Sequence, residues 1–284
     1  IAWKHSTNLR TYLLDDRRHH MTLGNPLARY AIVHDKKDRH WYMVWTVHHV
    51  LYDGWSESLL LQKVHALIRG QSIVANTTMK DYVAFVHNTD DTDTKAFWEE
   101  ELSGAIGPQF PRLPSRDYYA CPTGLVERTV VLKSLAGLPF TMATLIRAAW
   151  ALVASKHTGN EDVVFGETIA GRDLSLAGVE GIIGPLIATV PVRVHANQYV
   201  SVKAYLQSIQ RSTSSRAPYQ HFGMQNIRKV GADAQVACET GTGIVIQPEQ
   251  DDQGDDLGFS KGDTVQEALH FNPYPLMLAF GLQK

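Results

Sequence analysis

Two histidines, an aspartate, a glycine and a serine stand together in His48-His49-Val50-Leu51-Tyr52-Asp53-Gly54-Trp55-Ser56. Imidazoles titrate near neutral pH, so a histidine here can take a proton from a nucleophile as a new bond forms. Asp53 follows His49 by four residues and can hold backbone N–H groups or a nearby arginine, and Asp-Gly favours a tight turn. The N–H of Gly54, near the start of the next helix, is placed to stabilise developing negative charge. His49, Asp53 and Gly54 are therefore the candidate catalytic residues. His48, Trp55 and Ser56 are candidate substrate contacts.

The flanks say how these residues are held. Trp41 to Val47 (WYMVWTV) is aromatic and β-branched almost throughout and predicts a strand. Glu57 to Ile68 predicts a helix, with Leu59, Leu60, Val64 and Leu67 at helical spacing and Gly70 as a stop. The histidines thus fall where a strand ends and a helix begins, a place where a polar side chain can be rigid and still face a cavity. Alternation groups His49 with Val47 and Trp45, and His48 with Thr46 and Val44. His49, nearer the turn, is the better base. Two other readings of these residues stand beside this one. One is an ordinary hydrogen-bonded core histidine. The other is a zinc site built from His48, His49, Asp53 and His65. Adjacent histidines on an extended strand diverge, and no HExxH or CxxC pattern accompanies them, so no metal is expected.

The longer string WTVHHVLYDGWS, residues 45–56, resembles the active-site signature of condensation domains from nonribosomal peptide synthetases, in the wording of the fungal branch. Four further segments resemble the same family in the same order. They are the connector Met79–Phe85 with the helix Lys95–Gly104, the strands Asp162–Asp173 and Ile182–Arg193, and Pro218-Tyr-Gln-His-Phe-Gly223. The resemblance implies an α/β (α+β), two-lobed chloramphenicol-acetyltransferase-like fold, with an active-site tunnel between the lobes and an incomplete N-terminal lobe. It implies amide bond formation between a carrier-bound donor acyl or peptidyl thioester and a carrier-bound acceptor amine, with His49 as general base or positioning group. No cofactor is then bound directly, because the substrates ride on phosphopantetheine arms of carrier proteins. The implied partners are upstream and downstream peptidyl carrier domains and a neighbouring adenylation domain. His221, by its place in PYQHFG, is a candidate donor-side contact, with a structural histidine as an equal alternative. Three rival functions remain: a terminal condensation-like domain that releases the peptide by macrocyclisation, an acyltransferase using coenzyme A, and a non-catalytic docking scaffold.

In that family the aspartate of the loop is expected to pair with an arginine carried by a motif of the longer N-terminal lobe; this sequence starts after that region, which leaves the partner of Asp53 unassigned. Arg29 is a weak substitute, and Arg172-Asp173 reads as the lining of a tunnel mouth or, the preferred reading, as a solvated turn. The rest of the sequence is consistent with this class. A chain of 284 residues has ample material for a core. Its formal net charge of -2 gives no electrostatic case for nucleic acid or an anionic membrane. Cys121 and Cys238 fit no metal or redox motif and suit reduced thiols of a cytoplasmic protein. No apolar run approaches a membrane span. The sequence opens in mid-pattern at Ile1, which suggests a piece of a longer polypeptide. Two parts are expected: residues 1–110, the C-terminal part of an N-lobe carrying the HHxxxDG loop, and residues 111–284, a C-lobe incomplete at its end. The proline-bearing segment 107–115 is the linker candidate. Further strands are expected at 125–132, 163–169, 187–194 and 243–247, with helices at 142–157 and 202–212. An acidic surface loop is expected at 249–256.

Overall fold

The structure is a computed structural model that describes residues 1–73, 77–115, 118–121, 123–132, 137–197, 199–248, 260 and 273–282. In chain order its elements are β1 (Trp3–Ser6), α1 (Leu9–Arg18), β2 (Ala28–His34), β3 (Trp41–Val47), α2 (Gly54–Ile68), α3 (Met79–Asn88), α4 (Thr92–Glu101), α5 (Met142–Thr158), β4 (Asp162–Ile169), β5 (Ala188–His195), α6 (Val202–Arg216), α7 (Met224–Ile227), α8 (Ala232–Ala237), β6 (Thr242–Pro248) and β7 (Leu276–Leu282). Among the described residues the strands form two separate sheets, β1-β2-β3 and β5-β4-β6-β7. The fold is mixed α/β, as the sequence predicts. The expected acidic loop at 249–256 lies outside the described residues.

The first sheet pairs β1 parallel and β3 antiparallel to β2. Its register puts Arg29, Ala31 and Val33 of β2 on one face with Tyr42, Val44 and Thr46 of β3. Helix α1 is tied to this face by Asp16, which accepts from Arg29 Nε at 2.8 Å and Thr46 Oγ1 at 2.7 Å. Ala31 and Val33 are fully buried beneath it. The opposite face leaves Trp3, Trp41, Met43 and Trp45 largely exposed.

The second sheet packs one face into a core, most deeply on β4 and β5. Val163 and Phe165 of β4, Val190, Val192 and Val194 of β5 and Ile244 of β6 share a core with α5 and α6. Ala148, Ala151 and Ala154 make a small-residue face on α5, which lets that helix approach the sheet closely. Trp98 of α4 joins the same core, fully buried, with its Nε1 donating to Tyr219 O at 3.0 Å. So α4, from the first part of the chain, closes the core of the second sheet. The segment 107–115 is fastened to that sheet as well: Phe110 O accepts from Thr242 Oγ1 beside the start of β6.

One expected element does not form. Residues 125–132 have strong strand propensity but join no ladder and lie exposed. Propensity measures fit to a pleated, half-buried surface, and among the described residues no strand lies alongside this segment. No helix among the described residues is long and apolar enough to cross a membrane.

Candidate active site

Strand β3 ends at Val47, and the chain turns at once. His48 caps a single 3-10 turn, His49–Leu51, its Nδ1 accepting from Val50 N–H at 3.1 Å. Its own N–H donates to Leu27 O at 2.9 Å, which holds the turn against the start of β2. The histidines are therefore separated by a cap, and the strand alternation expected to divide them stops one residue short. His48 is exposed. His49 is half-buried and stacks on Tyr52, ring centroids 4.6 Å apart and planes 19° from parallel. That stack orients the imidazole.

Asp53 ends the turn and caps α2, which begins at Gly54, three residues before the predicted start. It is fully buried. Its Oδ1 accepts from Ser56 N–H and Ser56 Oγ, both at 2.7 Å, and the Asp53 N–H donates back to Ser56 Oγ at 2.9 Å. This is a capping box with serine at the third helical position. Arg172 Nη2 reaches the two carboxylate oxygens at 3.0 and 3.1 Å, and Leu186 N–H donates to Oδ2 at 2.9 Å. Burial pushes the Asp53 pKa up. The Ser56 hydroxyl and amide, the Leu186 amide and the Arg172 charge outweigh it and hold the carboxyl below its usual range. A carboxylate so fully engaged has little capacity left for a substrate. It is an anchor.

The partner is thus Arg172, in the loop after β4, and not an arginine of a preceding N-terminal region as expected from the resemblance; its side chain is buried, not part of a solvated turn. Arg29, the weak substitute, is engaged with Asp16. Glycine puts Arg172 there. Gly171 has φ +66°, and a Cβ on it would lie 1.8 Å from Leu186 O, so only glycine lets the two arms of this loop close. The same guanidinium donates to the carbonyls of Val179 at 3.2 Å and Ile182 at 2.9 Å. Loop 170–187 carries its own small core, Val179, Ile182 and Leu186, against Met79 and Tyr82 of α3.

The other predicted site residues divide. Trp55 donates Nε1–H to Glu180 O at 3.0 Å and stacks beneath Arg172, whose guanidinium carbon is 5.6 Å from the ring centroid. It pins α2 to the loop and keeps 43 % of its surface exposed, enough for a further contact. Ser56 does not: it is fully buried in the capping box, so its expected substrate contact gives way to a structural role. His221 lies away from the histidine turn in sequence but next to the arginine loop in space. Its Nε2 is 3.3 Å from Asp173 Oδ1, the carboxylate to which Gln220 also donates. Burial lowers the His221 pKa, with Asp173 opposing.

Two contributors were missed in the sequence. One is the Leu186 amide, since backbone donors carry no sequence signal. The other is Gln247, at the end of β6: a Cβ on Gly54 would meet its Nε2 at 3.9 Å. Gly54 therefore faces the second sheet across a short gap.

The geometry has counterparts among known proteins. A family model described as the condensation domain matches residues 4–276. Nonribosomal peptide synthetase sidD of Aspergillus fumigatus is 59% identical over the whole chain, and nonribosomal peptide synthetase 1 of Ajellomyces capsulatus is 40% identical over 99% of it. The chain spans only 14% and 16% of those two relatives. Among solved structures, the one titled as the crystal structure of CT superposes with a TM-score of 0.67 at 22% identity, covering 87% of this chain and 58% of that one. A mutant starter condensation domain of rhizomide synthetase gives 0.62 at 17% identity, covering 87% and 61%. At such identities these likenesses establish the fold.

Proposed function

This chain belongs to the condensation-domain family, and on that premise we propose that it joins a carrier-bound donor acyl or peptidyl thioester to a carrier-bound acceptor amine through an amide bond. The observation that carries the reading is the division of labour in the His48–Ser56 loop. Asp53 is clamped by Arg172 and Leu186, 119 and 133 residues away in sequence, while His49, four residues earlier, keeps an oriented and partly accessible ring. A fixed frame beside a partly accessible imidazole is what proton transfer at a reacting centre requires.

The chemistry then runs as follows. The neutral acceptor amine attacks the thioester carbonyl carbon, the C–N bond forms and the carbonyl oxygen becomes an oxyanion. The C–S bond breaks as the carbonyl re-forms, and the donor arm's thiolate leaves. The proton lost from the amine passes to His49 and on to that thiolate. Gly54, first residue of α2, stands at the positive end of the helix and favours the oxyanion. Trp55 borders the approach, His48 supports the turn that carries His49, and His221 belongs to the donor side.

In this reading both substrates arrive on phosphopantetheine arms of peptidyl carrier domains, with an adenylation domain as neighbour in the same synthetase. The chain divides near residue 110 into a part carrying the histidine loop and a part built on the second sheet, with the reaction between them and α4 reaching from one into the other.

The test loads donor and acceptor groups on separate carriers, in the complete synthetase, and follows the acyl mass on each by mass spectrometry. Acceptor-bound product with wild type and none with His49→Ala is the expected result. A released cyclic product would move the assignment to a terminal, macrocyclising domain. Transfer from free coenzyme A thioester alone, or no His49-dependent change on any carrier, would sink the condensation reading.

A further inference from the structure

Gly54 poses a small puzzle. Its φ lies outside the left-handed region, so its backbone needs no glycine. A Cβ there would meet Gln247 Nε2 at 3.9 Å, ordinary van der Waals contact, and among the described residues nothing else nearer than 4 Å beyond its own turn. Alanine is also the better helix former by about 1 kcal/mol. The protein's own packing therefore gives no reason for the missing methyl. The gap it leaves is bounded on the far side by a carboxamide.

The register of the second sheet shows what else lies there. Gln247, Val245 and Gly243 occupy the face of β6 opposite the core residues Ile244 and Ile246. Val245 pairs with Thr168 of β4 on one side and Ala279 of β7 on the other, and Gln247 pairs with Gly281. Among the described residues, a Cβ on Gly281 would meet nothing within 4 Å. Small residues thus keep the surface low on β7 beside Gln247, and the Gln247 side chain stands above it, exposed, with no hydrogen bond among the described residues holding its carboxamide. A donor with no partner among the described residues, its Nε2 3.9 Å from where a Cβ on Gly54 would lie, one residue after Asp53, is available to a ligand.

We propose that Gln247 is a substrate-contacting residue of the condensation reaction, its Nε2–H donating to the thioester carbonyl oxygen in the slot that glycine at position 54 leaves open. The inference rests on the condensation reading. Glutamine suits the role because it is neutral and donates through Nε2. As the carbonyl oxygen gains negative charge, that hydrogen bond strengthens, so the contact lowers the barrier more than it tightens binding.

The experiment uses the complete synthetase with loaded carriers, under single-turnover and steady-state conditions, on Gln247→Met, Gln247→Glu, Gly54→Ala and His49→Ala. Gln247→Met keeps the length without the donor; Gln247→Glu keeps the shape but replaces the donor with a negative charge. Losing one oxyanion donor costs about 10²-fold or more in kcat. Gln247→Met should therefore slow kcat by about that factor with carrier KM unchanged, and Gln247→Glu should be slower still. Gly54→Ala, which fills the slot, should slow the reaction without lowering the melting temperature. Wild-type rates for Gln247→Met and Gln247→Glu, with His49→Ala inactive, would overturn the proposal and leave the condensation reading standing. Wild-type rates for all, His49→Ala included, would overturn both.

Discussion

The two ends of the His48–Ser56 loop are built on opposite plans. At one end Asp53 and Ser56 are fully buried and bonded to each other, to Arg172 and to the Leu186 amide. At the other, His48 is exposed and His49 rests half-buried on the face of Tyr52. The residue with the densest network is not the one proposed to do chemistry. A buried carboxylate in such a network fixes the backbone at one point, and a proton-transferring imidazole four residues away inherits that position while remaining reachable. Stability and catalysis should therefore separate along nine residues of chain.

The sharpest test of that separation is His49→Ala. Loss of a general base costs about 10²- to 10⁴-fold in rate, and the partly exposed ring contributes little to folding. Amide formation between loaded carriers should fall by that factor while the urea midpoint stays at the wild-type value. A midpoint that fell with the rate would show His49 to be part of the frame. The converse variant is Arg172→Ala, which strands Asp53 as an uncompensated buried anion. Breaking a buried pair in this way costs about 3–5 kcal/mol, and urea unfolding should register it. Asp53→Ala with Arg172→Ala should cost less than the two singles added, since both remove one interaction.

The pH dependence of stability probes the same end of the loop. Asp53 is held below the usual carboxylate range in the folded state. Its contribution is therefore fully present above the unfolded pKa, about 3.9, and is lost as the pH falls through the lower folded value. The stability gap between wild type and Asp53→Asn should be constant from neutral pH down to about pH 4 and should close below it. Urea midpoints of both proteins across that range measure the gap. A gap that closed well above pH 4 would mean that the clamp does not stabilise the ionised carboxylate.

How much of this was legible in the sequence follows from how local each feature is. The strand Trp41–Val47 and the helix after the loop can be read because their residues carry the pattern themselves, and β4 and β5 fall within a residue of expectation for the same reason. The start of α2 was misplaced by three residues because Gly54-Trp55-Ser56 reads as part of a functional turn, when Asp53 is already the cap. Ser56 looks like a site residue for the same reason; an aspartate followed three residues later by a hydroxyl is also a capping pattern. Arg172 was hidden by distance. Gly-Arg-Asp after a strand resembles an exposed turn, and only a tertiary contact across 119 residues makes it the aspartate's counter-ion. Residues 125–132 fail in the opposite sense, since strand propensity needs a neighbouring strand. Gln247 carries no local signal, being one polar residue at the end of a strand.

The mildest expected effect decides how far the anchored end extends. Ser56→Ala removes the hydroxyl that donates to Asp53 Oδ1 and accepts from the Asp53 N–H, and keeps the Ser56 amide that caps the helix. Arg172 and Leu186 still hold the carboxylate, so Asp53 should stay in place and ionised. The cost is one buried N–H left without its acceptor and one weakened cap, about 1–2 kcal/mol. Urea unfolding should show that loss, while amide formation on the carriers should stay within about fivefold of wild type, because the hydroxyl has no surface from which to touch a substrate and a shift below about 1 kcal/mol at His49 is worth no more. The opposite result, a large rate loss at unchanged stability, would mean that Ser56 reaches the reacting groups. The boundary between frame and chemistry would then fall on the far side of Asp53.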